Sequence, residues 1–318
     1  MNNDFDSIIC TSCKFEGEYP DSQKDAIAFL KSCSMERENA ICLTRDHVRY
    51  SVSIDVHANI KTITVSANKA VKLSDMWTII IPILRFENLF EGCFYTPILL
   101  EANGKDHMNM IESILPLYRS SYTSGIFPFS YSDKEYRKLY YKWIKKSKEL
   151  KIIHHVYLYS VFINGMPPQV KLALLLEVFE PIAKSMLLKK GVLKKSVHFK
   201  DMLQLLISQY GKIIFPGKEG ERVIPRAVAT RNMVDHVDHE KMIEKDEEKK
   251  AMSGYQSAFY LYKFSLLYRY IVLLELGVDE KELNDRIKIL MRSFNKQYKR
   301  GRIMRSPPKH SQNKNSTP

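Results

Sequence analysis

The sequence predicts an α+β protein in which a small mixed α/β region with antiparallel strands is followed by an all-α helical bundle. Three observations carry this. Between Asp46 and Lys72 the β-branched residues fall with a period of two, as in half-buried strands. From Asp133 onward apolar residues recur at intervals of three and four between helix caps and stops. Residues 254–276, GYQSAFYLYKFSLLYRYIVLLEL, are apolar round most of a helical circumference, so they must lie inside a bundle or between subunits.

A chain of 318 residues can bury a sizeable core, and the length favours two units over one. The expected division is residues 1–130 as the α+β region, 133–300 as the helical region and 301–318 as a disordered tail. Lys and Arg number 49 against 36 Asp and Glu, for a net charge of +13. Such an excess favours an anionic partner, nucleic acid first. Part of it sits in the tail, at Lys299, Arg300, Arg302, Arg305, Lys309 and Lys314, where solubility alone would account for it.

The opening MNNDFDSIIC has no basic segment followed by an apolar run, so no signal peptide is read and the expected location is cytoplasmic. The longest strongly apolar run, Met76 to Leu84, is interrupted by Pro82 and is too short to span a bilayer, so no membrane partner is expected. Cys10 and Cys13 form a C-x-x-C, and Cys33 and Cys42 follow. Their spacing does not suit a zinc ribbon or knuckle, and reduced thiols acting as small hydrophobes are the preferred reading.

In the first region Val48, Tyr50, Val52, Ile54 and Val56 share one side of a strand. Ile60, Ile63 and Val65 continue after an Ala58-Asn59 connection, as an antiparallel pair would. Trp77 to Leu89 fits a strand or a helix, with a helix favoured by the Ser74-Asp75 cap. Phe94 to Ala102 reads as a strand ending in an Asn103-Gly104 turn. Nothing here looks catalytic.

The helical region opens at Asp133 and its first segment stops at Asn164-Gly165. Its interleaved Tyr, Trp and Lys would suit single-stranded RNA. Helical periodicity instead favours Tyr140 and Trp143 packed inward, with Lys142, Lys145, Lys146 and Lys148 in solvent. Neither His154 nor His155 is assigned a function. Pro167-Pro168 starts a helix to about Lys190, with a kink or a stop and restart at Pro181. A helix over Phe199 to Ile213 follows, then a loop at 216–222, a helix beginning at Pro225, and a charged stretch at 238–250. Gly277 should end the apolar helix, and Asp279 should cap a last helix to about Tyr298.

The stretch with chemistry in it is VATRNMVDHVD, residues 228–238, where Arg231, Asn232 and His236 stand as R-N-x-x-x-H. Asn232 and His236 are four apart and share a helical face, whereas Arg231 lies about 140° round from His236 and must reach across or sit at a break. A guanidinium can hold two phosphate oxygens and an imidazole can move a proton near neutral pH, which suits a phosphodiester. The plain alternative is a solvated polar face. His236 and His239, with Asp235, Asp238 and Glu240 near them in sequence, could be offered as a metal site, but no further ligand pair accompanies them. The metal-free reading is preferred, and no cofactor is expected.

Thr230, Arg231, Asn232, His236 and Asp238 in TRNMVDHVD, together with the downstream YRYIVLLELGVDEKEL, resemble the HEPN superfamily, and within it the ApeA-like proteins of bacterial anti-phage defence. The resemblance covers roughly the C-terminal half. The N-terminal α+β region is similar to the latter part of the domain that precedes HEPN in that family, in shortened form. The resemblance implies a metal-independent endoribonuclease whose bundles form a homodimer and bring two motifs together. On that pattern His236 transfers protons, Arg231 binds the phosphate, Asn232 orients them, and Thr230 and Asp238 support them from behind. RNA brings its own nucleophile in the 2′-OH, so a 2′,3′-cyclic phosphate is the implied product. Structured RNA, with tRNA as the candidate, is the implied substrate, and a phage-derived component the implied trigger. Two competing readings remain at this stage: a HEPN bundle that binds RNA or a nucleotide without turnover, and an assembly protein that uses helix 254–276 as its interface.

Overall fold

The computed structural model describes residues 4–14, 41–57, 60–92, 97–102, 105–106, 109, 133–189, 191, 197–235 and 250–305. Six strands form one antiparallel sheet: β1 (Asp4–Lys14), β2 (Ile41–Arg45), β3 (Val48–His57), β4 (Ile60–Lys72), β5 (Pro97–Ala102) and β6 (Lys105–Asp106), in the order β2-β3-β4-β1-β5-β6. The expected β3–β4 pair is present, with Val52 opposite Val65 and Ile54 opposite Ile63, all four fully buried. Both connecting turns named from the sequence, Ala58-Asn59 and Asn103-Gly104, lie outside the described residues. Strands β1 and β2 were not anticipated. Their sequences, DFDSIICTSCK and ICLTR, mix polar and apolar residues without a clean alternation.

One face of the sheet is covered by α1 (Leu73–Glu91), which buries Met76, Ile79, Ile80, Ile83, Phe86, Leu89 and Phe90 at helical spacing. Its apolar surface is broader than one stripe because it is sandwiched. The side away from the sheet meets α2 (Asp133–Glu149): the Phe86 ring lies edge-on to Tyr136 and Tyr140, at 5.3 and 5.6 Å, and Trp143 Nε1 donates to the Pro82 carbonyl at 2.7 Å. A single apolar core therefore runs from the sheet through α1 into the helices.

The other helices are α3 (Lys151–Phe162), α4 (Pro168–Glu177), α5 (Phe179–Lys189), α6 (Phe199–Tyr210), α7 (Glu219–Asp235), α8 (Gly254–Leu276) and α9 (Glu280–Arg305). The segment read as one helix from Asp133 breaks at Leu150 into α2 and α3, and the segment with Pro181 stops and restarts at Val178, one of the two outcomes expected of that proline. Tyr140 and Trp143 are fully buried, as periodicity required. Two of the lysines assigned to solvent have other work: Lys142 Nζ donates to the Leu276 carbonyl at 2.8 Å, and Lys146 pairs with Glu275 at 2.8 Å, so α2 clamps the C-terminus of α8. Helix α7 begins at Glu219, not at Pro225, so the charged PGKEGER stretch supplies its first turn and only residues 216–218 are turn. Two glutamates in that turn offset the helix dipole, a signal the sequence reading passed over.

The apolar helix spans the expected residues and is the centre of the bundle, buried from Lys263 through Leu273. Its start is fixed by a capping box between Ser253 and Gln256, and its end by Gly277 at φ 87°. Asp279 caps α9 through the Glu282 N–H at 2.8 Å, and α9 runs on to Arg305, past the Tyr298 end read from the sequence. The tail beyond Arg305 and most of the 238–250 stretch lie outside the described residues.

His154, in the middle of α3, is buried between Trp143 and Tyr268, with Nδ1 within 2.9 Å of the Tyr268 hydroxyl. Its Nε2 has no hydrogen-bond partner among the described residues. Burial, and then the charges of Arg85 and His155, hold this imidazole well below its usual range. The unfolded chain would protonate it near pH 6.5 while the folded chain resists. Its contribution to stability is thus complete above that pH and falls as the pH drops below it. Urea unfolding should show stability falling from pH 7 to pH 5, with a slope of up to about 1.4 kcal/mol per pH unit from this group. His154→Gln, which can still bond Tyr268, should flatten that slope; an unchanged slope would place the titrating group elsewhere.

Candidate active site

Arg231 and Asn232 lie in the last turns of α7, both half-buried. Helix α7 is set antiparallel to α8 by contacts along its length: Lys263 Nζ to Glu219 near its start, Arg226 to Gln256 in its middle, and Thr230 to Met252 near its end. Lys263 is 1% exposed, and the carboxylate offsets part of the cost of burying its ammonium. Burial, the largest effect, lowers its pKa against the opposing pull of Glu219.

Thr230 is fully buried, and its hydroxyl donates to the Arg226 carbonyl at 2.8 Å while accepting from the Met252 N–H at 2.9 Å. It therefore joins the end of α7 to the residues just before α8. That fixes where the chain leaves and re-enters around the motif, a positional role.

The Arg231 guanidinium is bounded on three sides. Glu177, the last residue of α4, takes it side-on, accepting from Nε and, at 2.8 Å, from Nη2. Glu180, in the first turn of α5, accepts from Nη2 at 3.2 Å. Phe199, the first residue of α6, lies under the guanidinium plane with 4.2 Å from Cζ to the ring centroid. Glu177 and Glu180 are three residues apart across the α4–α5 junction, where Val178 keeps right-handed helical angles, so both carboxylates fall on the same side. Arg231 thus turns toward the α4–α5 junction, and its relation to His236 lies outside the described residues. Glu180 is also held by Lys184 at 2.6 Å, and that hydrogen bond is the largest cause keeping its carboxyl below the usual range.

The Asn232 side chain is half-buried and forms no hydrogen bond among the described residues. His236 and Asp238 lie outside the described residues, as does His239, so the structure brings Thr230, Arg231 and Asn232 together at the end of α7 and leaves the motif's histidine unplaced. Cys10 lies in β1 opposite Ile63 and Leu100, Cys13 is in the same strand, Cys42 is in β2, and Cys33 lies outside the described residues. Among the described residues no three His, Cys, Asp or Glu side chains group as metal ligands would, and no helix is long and apolar enough to cross a membrane.

The residues the sequence reading missed are Glu177, Glu180, Lys184 and Phe199. A signal was there in LLLEVFEPIAK: two carboxylates three apart interrupt an apolar run just where a proline breaks it, with a lysine four residues after the second. No curated protein and no solved structure matches the chain. A family model does: Apea-like HEPN, over residues 165–282, from just after α3 to the start of α9 and including the whole motif. Over those residues, which are less than half of the chain, the chain is similar to the Apea-like HEPN family.

Proposed function

We propose that the protein is a metal-independent endoribonuclease that cleaves structured RNA, tRNA being the candidate, as a homodimer in phage-triggered growth arrest. The observation that carries this reading is the position of R-N-x-x-x-H inside the HEPN match, with Arg231 and Asn232 in the last turns of α7. In the reaction the RNA 2′-OH attacks its own adjacent phosphorus, and the 5′-oxygen of the next nucleotide leaves, giving a 2′,3′-cyclic phosphate. His236 takes or returns the proton, Arg231 offsets charge on the phosphorane, and Asn232 holds the phosphate in line.

The basic last helix supports RNA as the partner. From Arg286 to Arg305 there are eight Lys and Arg and no Asp or Glu, and Lys288, Arg292 and Lys296 are exposed at intervals of four on one face. The opposite face stacks Phe294 on Tyr262 at 3.9 Å and Tyr298 on Tyr255 at 4.8 Å. Those contacts bring the C-terminal part of α9 to the beginning of α8, which is tied to the end of α7 by the Met252–Thr230 bond. The C-terminal part of α9, with Lys296 exposed, therefore lies toward the end of the bundle that bears the motif, where positive charge would draw an RNA backbone.

The test is incubation of the full chain and of His236→Ala with total cellular RNA in EDTA, with sequencing of the fragment ends. Discrete cuts ending in cyclic phosphate from the unsubstituted chain alone are expected. Equal cleavage by both proteins, or cleavage that returns only with added metal, would overturn the reading.

A further inference from the structure

Within the site just described, one carboxylate is placed as a ligand would be. The two oxygens of Glu180 go to two different cations: Oε1 accepts from Lys184 Nζ at 2.6 Å, and Oε2 accepts from Arg231 Nη2 at 3.2 Å. Arg231 does not depend on Glu180 for its position, whereas Lys184 has Glu180 as its partner. Arg231 is already fixed side-on by both oxygens of Glu177 and from below by Phe199, and Lys184 stands one helical turn along α5 with half of its side chain exposed. Two roles are thus separated on one guanidinium: Glu177 holds it, and Glu180 occupies what it presents.

We propose that Arg231 and Lys184 form an anion site for one RNA phosphate, and that Glu180 fills this site as an internal stand-in which the phosphate displaces. The proposal rests on the ribonuclease reading for its choice of ligand. A phosphodiester offers the same pair of charged oxygens as a carboxylate, and an arginine with a lysine beside it is well suited to receive them. The Glu180 side chain, 27% exposed, stands near the surface in the first turn of α5, so it can rotate into solvent without disturbing the core. Once it does so, the cluster of Arg231, Lys184 and Glu177 carries a net positive charge toward the incoming phosphate in place of a neutralised one. Lys184 thereby becomes a binding residue that the R-N-x-x-x-H pattern does not contain.

An internal competitor reduces apparent affinity by the fraction of time the site is vacant. Glu180→Gln removes the competing charge and keeps the shape. Its affinity for a non-cleavable 2′-O-methyl oligoribonucleotide, followed by fluorescence anisotropy, and for inorganic pyrophosphate, followed by phosphorus NMR, should rise about tenfold. Adding Lys184→Ala to that background should reverse most of the gain, since it deletes a charge-assisted hydrogen bond. Thermal melting of both variants checks that they fold. If Glu180→Gln binds both probes no better than the unsubstituted chain, or if Lys184→Ala leaves the gain intact, Glu180 is only a structural brace and the proposal fails. If pyrophosphate affinity rises and falls as described while no form binds the oligoribonucleotide, the anion site stands and the ribonuclease reading falls.

Discussion

Arg231→Ala is expected to lower the single-turnover rate of RNA cleavage about a thousandfold, the scale of losing a preorganised charge that stabilises a transition state. The surroundings of Arg231 make the effect of this substitution twofold. It removes the donor, and it bares Glu177 and Glu180, whose carboxylates would then repel the incoming phosphate. The two contributions can be separated. Arg231→Ala combined with Glu177→Gln and Glu180→Gln should regain binding lost to repulsion while leaving the chemical step slow. Arg231→Lys keeps the charge, yet an ammonium has no side-on edge for Glu177 to hold while another edge meets phosphate, so it too should fall well below the unsubstituted enzyme. Arg231→Ala with activity within about threefold of the original would remove Arg231 from the catalytic assignment.

The parts of the fold that the sequence made legible are those whose own residues decide them. Helix α8 could be placed to its ends because a nearly uninterrupted apolar run, Ser253 before it and Gly277 after it are local signals. The β3–β4 pair was equally clear, since alternation puts Val52 and Ile54 beside Val65 and Ile63. What could not be read was decided by partners distant in sequence. Strand β1 is central to the sheet, yet its pairing with β4 and β5 is set by segments roughly sixty and ninety residues away. Lys142 and Lys146 look like solvent residues until the C-terminus of α8 arrives beside them. The same holds at the site. The motif named Arg231 as a phosphate residue, but what surrounds its guanidinium belongs to α4, α5 and α6, and only packing brings Glu177, Glu180 and Phe199 to it.

Arg269→Leu is expected to destabilise the protein by about 3 kcal/mol, the scale of leaving two buried carbonyls without donors. Arg269 is a charged residue in the middle of the most apolar helix, 2% exposed, and it points at the end of α1. Its Nε donates to the Leu89 carbonyl at 2.7 Å and Nη2 to the Phe90 carbonyl at 2.6 Å. The carbonyl one residue earlier, Asn88, is served by the N–H of Gly92, which takes φ 67° to reach it. A helix C-terminus buried against other helices needs donors for its last carbonyls, and it carries a partial negative charge that a guanidinium offsets. Leucine would fill the volume and leave both carbonyls bare, whereas Arg269→Lys, retaining charge with a single point of donation, should cost less. Urea unfolding followed by circular dichroism would measure both, and an unchanged midpoint for Arg269→Leu would mean that these carbonyls find other donors. Because α1 covers the sheet and α8 is tied through Met252 and Thr230 to the end of α7, this one guanidinium links the strand layer to the helices that carry the motif. Loosening it should therefore reduce cleavage in proportion to the folded fraction and leave the rate per folded molecule unchanged, which distinguishes it from every substitution at Arg231.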